Sequence, residues 1–125
     1  MAVRKRAKKY IGRIYLDKGA VSISLKNYDD AMLYSEKAVQ TLFKDYNRTI
    51  RNEPENTGKI EEIAKEMVIA NFNKGHCEAI LGQYSDALET LNKSISIYHN
   101  NGLTCEHIKN KIGEEMQEIS KNRAA

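Results

Sequence analysis

Two stretches of the chain repeat each other when the sequence is compared with itself at an offset of 56 residues. Their seven identical positions lie, without a gap, within residues 16–39 and 72–95. These pairs are Lys18-Gly19 with Lys74-Gly75, Leu25 with Leu81, Tyr28 with Tyr84, Asp30-Ala31 with Asp86-Ala87, and Lys37 with Lys93. An internal repeat of this length is typical of proteins built from stacked supersecondary units. We therefore expect one structural unit made twice.

Apolar residues recur at steps of three and four along most of the 125 residues, which predicts α-helices. Breaks at Lys26-Asn27, around Pro54, at Gly82 and at 100–102 divide the chain into five of them. Short connections favour antiparallel packing of neighbouring helices. The chain is therefore expected to fold as a single all-α domain over residues 1–125. In the first helix, the spacing predicts one broad inward-facing stripe, which consists of Ala7, Tyr10, Ile11, Ile14, Lys18, Val21 and Leu25.

The repeated glycines explain how each helix pair could pack. A glycine inside a helix costs about 1 kcal/mol relative to alanine, so Gly19 and Gly75 need a structural reason. Each precedes a turn, and a small residue, Ala31 or Ala87, follows one turn into the returning helix. The pattern predicts two helical hairpins whose backbones approach closely. A tyrosine at the start of each returning helix, Tyr28 or Tyr84, would lie across the pair.

The stretches YLDKGAVSISLKNY and NFNKGHCEAILGQY resemble the first helix of a tetratricopeptide repeat. LKNYDDAMLYSEKAV and LGQYSDALETLNKSI resemble its turn and second helix. The resemblance implies an all-α fold of five helices: two antiparallel hairpins plus a C-terminal capping helix, a piece of an α-solenoid. Repeat one would span about 3–52, repeat two about 57–101 and the capping helix about 104–122. The period of 56 exceeds the usual ~34 by about six helical turns, so long second and third helices are expected.

The same resemblance implies a concave groove formed by the first helix of each repeat. Its predicted residues are Arg13, Leu16, Asp17, Ala20, Ile23, Ile69, Phe72, Asn73, His76 and Ile80. Leu16, Ile23, Phe72 and Ile80 would serve as apolar anchors for a partner, or would instead pack against the fifth helix or against each other. The expected function is a non-enzymatic protein-interaction module, an adaptor or scaffold that binds a peptide or amphipathic helix within a larger assembly. Self-association is the alternative way to stabilise so short an array.

A basic cluster at the N-terminus supports a second hypothesis. Residues 1–14 carry six basic residues and no acidic ones, whereas the remainder has a net charge of −3. The candidate anion-binding residues are Arg4, Lys5, Arg6, Lys8 and Lys9. They would suit a nucleic acid, an anionic surface or a nuclear address, although a solvated helix start explains them equally well. Salt dependence of binding would separate this alternative from an apolar groove.

Other functional classes are not indicated by the sequence. The chain contains no catalytic motif, so neither an enzyme nor a cofactor is expected. His76, Cys77, Cys105 and His107 could be combined into a zinc ligand set, but adjacent helical residues point about 100° apart, so no metal site is predicted. The start, MAVRKRAKKYIGR, lacks the apolar core of a secretory signal, and no apolar run could span a membrane. Two cysteines suit a reducing compartment, so the expected location is cytoplasmic.

Overall fold

The computed structural model of the protein describes residues 10–124 and contains five helices within that range. They are α1 (Ile11–Ser24), α2 (Tyr28–Asn52), α3 (Thr57–Ile80), α4 (Tyr84–Asn100) and α5 (Glu106–Ala124). The part of the first predicted helix that precedes residue 10 lies outside the described residues. The helices of 25 and 24 residues at α2 and α3 confirm the prediction of a long-armed hairpin pair.

Close approaches between α1 and α2 show that the first hairpin is antiparallel. A Cβ built on Gly12 would lie 2.7 Å from Leu42 Cδ2, and one built on Gly19 would lie 3.2 Å from Ser35 Oγ. Contacts therefore move down α2 as they move up α1. Ala31 and Ala38 are fully buried on α2, so this hairpin has the predicted seam of small residues.

The second hairpin repeats this packing. A Cβ built on Gly75 would lie 2.8 Å from Leu91 Cδ2, and Ala87 is fully buried. Side-chain hydrogen bonds add to the apolar seam, since Thr90 Oγ1 donates to Glu78 Oε1 at 2.6 Å. Ser94 Oγ donates to the Val68 carbonyl at 2.8 Å, so α3 and α4 are joined both by polar contacts and by close backbone packing.

The core forms two adjoining clusters. The first contains Leu16, Ala38, Leu42, Met67 and Ala70, from α1, α2 and α3. The second joins α3, α4 and α5 and contains Ala64, Val68, Ala87, Leu91, Tyr98, Leu103, Ile112 and Ile119. The α5 residues Ile112 and Ile119 are 0% and 2% exposed, so α5 is the capping helix that the sequence predicted.

The inward face of α1 differs from the prediction. Gly12, Leu16, Gly19 and Ser22 are the buried residues of this helix. Four apolar residues of the predicted stripe are instead exposed, Tyr10 53%, Ile14 45%, Val21 58% and Leu25 74%, as is Lys18, whereas Ile11 is half-buried and Ala7 lies outside the described residues. This correction has a physical reason, because the glycines allow α2 to approach α1 on the face where side chains are smallest. Ile14, Val21 and Leu25 consequently remain exposed.

The three turns that follow α1, α3 and α4 share one hydrogen-bond pattern. The residue after each C-cap has a positive φ: Lys26 (60°), Gly82 (81°) and Gly102 (62°). The next residue donates its backbone N–H to a carbonyl five positions earlier, as in Asn27 to Ser22 at 2.8 Å and Gln83 to Glu78 at 2.8 Å. This is the Schellman motif, which ends a helix in a left-handed residue.

Candidate functional site

A cavity of about 540 Å³ lies between α1, α3 and α5, and we refer to it as the groove. It is lined by Ala20 and Ile23 of α1, by Phe72, Asn73 and His76 of α3, and by Lys111, Glu114, Glu115 and Glu118 of α5. Five of the ten predicted groove residues therefore line one cavity. In each hairpin, the glycine face of the first helix packs against the second helix: Gly19 faces α2 and Gly75 faces α4. The groove residues lie on other faces of α1 and α3.

Three predicted groove residues lie elsewhere along α1. Leu16 is only 5% exposed and belongs to the core cluster with Leu42, so the structure corrects its assignment as a surface anchor. Arg13 does not line the groove but a second cavity. Its Nε donates to Asp17 Oδ1 at 3.1 Å, and its other end approaches Glu66 at 4.0 Å. Both Arg13 and Asp17 are exposed.

Two predicted α3 residues also lie outside the groove lining. Ile69 is half-buried and packs against the core cluster that contains Leu16. Ile80 is 45% exposed at the end of α3. Among the described residues, the apolar part of the groove therefore consists of Ala20, Ile23 and Phe72.

Phe72 and His76 form one side of the groove from successive turns of α3. Their rings are nearly parallel, with centroids 6.3 Å apart and an interplanar angle of 13°. His76 Nδ1 lies 2.8 Å from Glu115 Oε1, so a hydrogen bond connects α3 to α5 across the base of the groove. This bond links α5 to the helix that carries Phe72, and a preformed wall lowers the ordering cost of binding.

The α5 wall was not predicted from the sequence. Its lining residues, Lys111, Glu114, Glu115 and Glu118, lie on a helix that has no counterpart in the repeat. The sequence nevertheless contains a pattern that indicates an acidic face on this helix. Glu114 and Glu118 are four residues apart, so they share a face beside the stripe of Ile112 and Ile119. The side chains of Glu114 and Glu118 are exposed. Together with Glu115 and Lys111, they place three carboxylates and one ammonium group on the border of the groove.

A second cavity, of about 460 Å³, lies beside the long arms of α2 and α3. Its lining is Tyr10, Arg13, Leu42, Asp45, Arg48, Thr49, Asn52, Glu53, Lys59, Glu62, Ile63 and Glu66. Charges of opposite sign pair here, with Lys59 Nζ 2.8 Å from Glu53 Oε2 and Arg48 3.5 Å from Asp45. Burial raises the pKa of Asp45 and of Glu66, only partly offset by these cations and by Arg13. Because the cavity mixes both signs, it has no clear preference for a charged ligand.

The remaining candidate residues give no further site in the part of the chain that the structure describes. No group of three or more His, Cys, Asp or Glu side chains in residues 10–124 could hold a metal ion. Burial raises the pKa of the Cys77 thiol to about 11, so this side chain is packed rather than reactive. The basic residues Arg4, Lys5, Arg6, Lys8 and Lys9 lie outside the described residues. No helix within the described range has the length and apolar content needed to cross a bilayer.

Comparison with known proteins agrees with the repeat. A family model described as tetratricopeptide repeat matches residues 12–41 and 68–101, which together make up about half of the chain. The first match covers α1 and about the first half of α2. The second match covers the second half of α3 and all of α4. The comparison with curated proteins and the comparison with solved structures gave no match. Repeats of this type generally mediate binding between proteins. The chain belongs to the tetratricopeptide repeat family.

Proposed function

We propose that the chain is an adaptor that binds a peptide or amphipathic helix of another protein in the groove. The observation that carries this proposal is Phe72, a large apolar side chain that is half-buried at an open cavity of about 540 Å³. Cavities of about 300–1,000 Å³ with apolar walls and a few polar groups are typical of binding sites. Here Asn73 and His76 supply the polar groups beside the apolar ones.

The groove is suited to protein binding because its walls come from three helices that the core holds in place. Ile23 and Ala20 face it from α1, and Phe72 faces it from α3. Two of these helices, α1 and α3, pack against their hairpin partners through fully buried alanines, and α5 packs on the core through Ile112 and Ile119. A partner segment would therefore bury apolar surface against a preformed site, without ordering a loop first. No catalytic role is proposed.

The test compares two arginine substitutions on neighbouring residues of α1. Ala20 lines the groove and is exposed, so Ala20→Arg should block it without disturbing the core. Val21→Arg adds the same charge to the same helix at an exposed position about 100° away, which does not line the groove. The measurement is the amount of each partner captured from native extract, quantified by mass spectrometry. With Ala20→Arg this amount should fall at least about tenfold, which corresponds to a loss of about 1.4 kcal/mol in binding free energy. They should be retained with Val21→Arg.

Retention of every partner by Ala20→Arg would contradict the groove. The alternative function, binding of a nucleic acid or an anionic surface through the N-terminal segment, gives a different outcome. Capture would then fall steeply with added salt, because phosphate contacts release counterions. It would also be lost when Arg4, Lys5 and Arg6 are replaced by alanine, whereas Ala20→Arg would have no effect.

A further inference from the structure

We propose that the groove selects basic segments, in which Lys or Arg side chains stand next to an apolar residue. This inference rests on the proposed function and names the chemistry of its partner. It follows from the placement of the α5 carboxylates opposite the apolar residues Ile23 and Phe72. A ligand between them meets an apolar surface on one side and negative charge on the other.

Several carboxylates on the helices are paired with a nearby cation and, among the described residues, the two outer carboxylates of the groove are not. Asp17, Glu61 and Glu89 each lie within 4.0 Å of an Arg or Lys one turn away on the same helix. By contrast, neither Glu114 nor Glu118 forms an ion pair within residues 10–124. Lys111 also lines the groove, but three carboxylates lie beside this one ammonium group, so acidic groups outnumber basic ones on the described lining.

The spacing of these acids along α5 makes a bound cation favourable. Glu114 and Glu118 are four residues apart, and like charges at this separation repel each other on a helix. Glu115, between them, already bonds His76, which leaves the outer two carboxylates to face the ligand. A Lys or Arg of the partner placed between Glu114 and Glu118 would relieve this repulsion and form two ion pairs.

The apolar and acidic sides have separate roles in recognition. Contact with Phe72 and Ile23 would supply affinity that depends little on salt, since apolar burial is not screened. Exposed ion pairs add little affinity, but they raise the association rate and exclude partners of the wrong charge. The groove would therefore distinguish between segments that have the same apolar pattern and opposite charge.

The experiment measures binding of two labelled twelve-residue peptides by fluorescence anisotropy. Both carry leucines at the same positions, and the intervening residues are lysine and arginine in one peptide and glutamate in the other. The groove variant is Glu114→Lys with Glu118→Lys. Its matched control is Glu61→Lys with Glu89→Lys, which changes the net charge equally at exposed helix positions outside the groove. Melting curves by circular dichroism verify that both variants fold.

We expect the basic peptide to bind the unmodified protein and the control variant, and to bind the groove variant about tenfold more weakly. The acidic peptide should bind the groove variant better than it binds the unmodified protein. Equal binding of both peptides, with both weakened by Ala20→Arg, would overturn the charge selection but leave the proposed function standing. An equal loss in the control variant would also overturn it. Peptide binding unaffected by Ala20→Arg would contradict the proposed function itself.

Discussion

At the scale of single residues, the two repeats fill equivalent space with different side chains. Gly75 is in contact with Leu91, which is fully buried, whereas Gly19 faces Ser35, the residue 56 positions before Leu91. Ser35 Oγ is buried and has no hydrogen-bond partner in the described part of the chain. At these two equivalent glycines, the second hairpin is therefore packed with a bulky apolar group, and the first with a small hydroxyl that forms no hydrogen bond within the described residues.

Replacing each glycine by alanine should show this difference. A Cβ at Gly75 would lie 2.8 Å from both Cδ2 and Cγ of Leu91, whose side chain is fully buried. We expect overpacking of about 1–3 kcal/mol, which exceeds the ~1 kcal/mol that alanine adds through helix propensity. Gly75→Ala should lower the free energy of unfolding by about 1 kcal/mol, as measured by urea titration.

Gly19→Ala provides the matched control for that substitution. Its Cβ would lie 3.2 Å from Ser35 Oγ, a group that is able to rotate, so helix propensity should offset the contact. The free energy of unfolding should stay within about 0.5 kcal/mol of the unmodified protein. Equal destabilisation by both substitutions would contradict this account of the two hairpins.

At the scale of elements, the equivalent turns use different residues for one backbone conformation. Lys26 occupies the left-handed position that Gly82 fills in the second repeat. A side chain in this conformation costs about 1–2 kcal/mol relative to the right-handed one, whereas glycine adopts it freely. The turn keeps its Schellman hydrogen bonds at both sites, so Lys26 carries strain that Gly82 avoids.

Lys26→Gly should therefore raise the free energy of unfolding by about 0.5–1 kcal/mol, after allowing for the greater chain entropy of glycine when unfolded. The adjacent Leu25→Gly serves as control, since Leu25 has a φ of −85° and the same exposed setting. That substitution should give no gain. Thermal melting of both variants measures the difference, and a gain from Leu25→Gly alone would contradict the strain at Lys26.

The sequence predicts most of the elements, and the exceptions have physical causes. Gly19 and Gly75 located both hairpins because a mid-helix glycine marks close packing, and the period of 56 indicated the long α2 and α3. Periodicity failed on α1 because it assigns large apolar residues such as Ile14 to the inside, whereas Gly12 and Gly19 lie there. The acidic α5 wall depends on how α5 docks against α3, and repeat comparison carries no information about a helix that occurs once.

At the scale of the whole molecule, the outer face of α1 shows how position in the array decides burial. Ile14 and Val21 are exposed, but the residues 56 positions later, Ala70 and Cys77, are both fully buried. The difference arises because α3 lies between α1 and α2 on one side and α4 on the other, whereas α1 contacts only α2 and α3 among the described helices.

Lysine substitutions at equivalent positions should therefore differ greatly in cost. Val21→Lys places the ammonium in water and should change the free energy of unfolding by less than about 0.5 kcal/mol. Cys77→Lys buries a charge that has no partner, so it should lower the free energy of unfolding by about 3 kcal/mol or more. Circular dichroism melting curves measure both, and a comparable loss at Val21 would show that the outer face of α1 is covered.

The central position of α3 also affects how the molecule moves. α3 contacts each of the other four described helices, whereas α1 and α5 do not contact each other within that range. The backbone amides of α3 should exchange with deuterium only when the whole domain opens, and those of α1 and α5 through separate local openings. A segment held in the groove would touch both outer helices at once. Binding of this segment would couple the local opening of α1 to that of α5. The protection of backbone amides from exchange should therefore rise together in both helices.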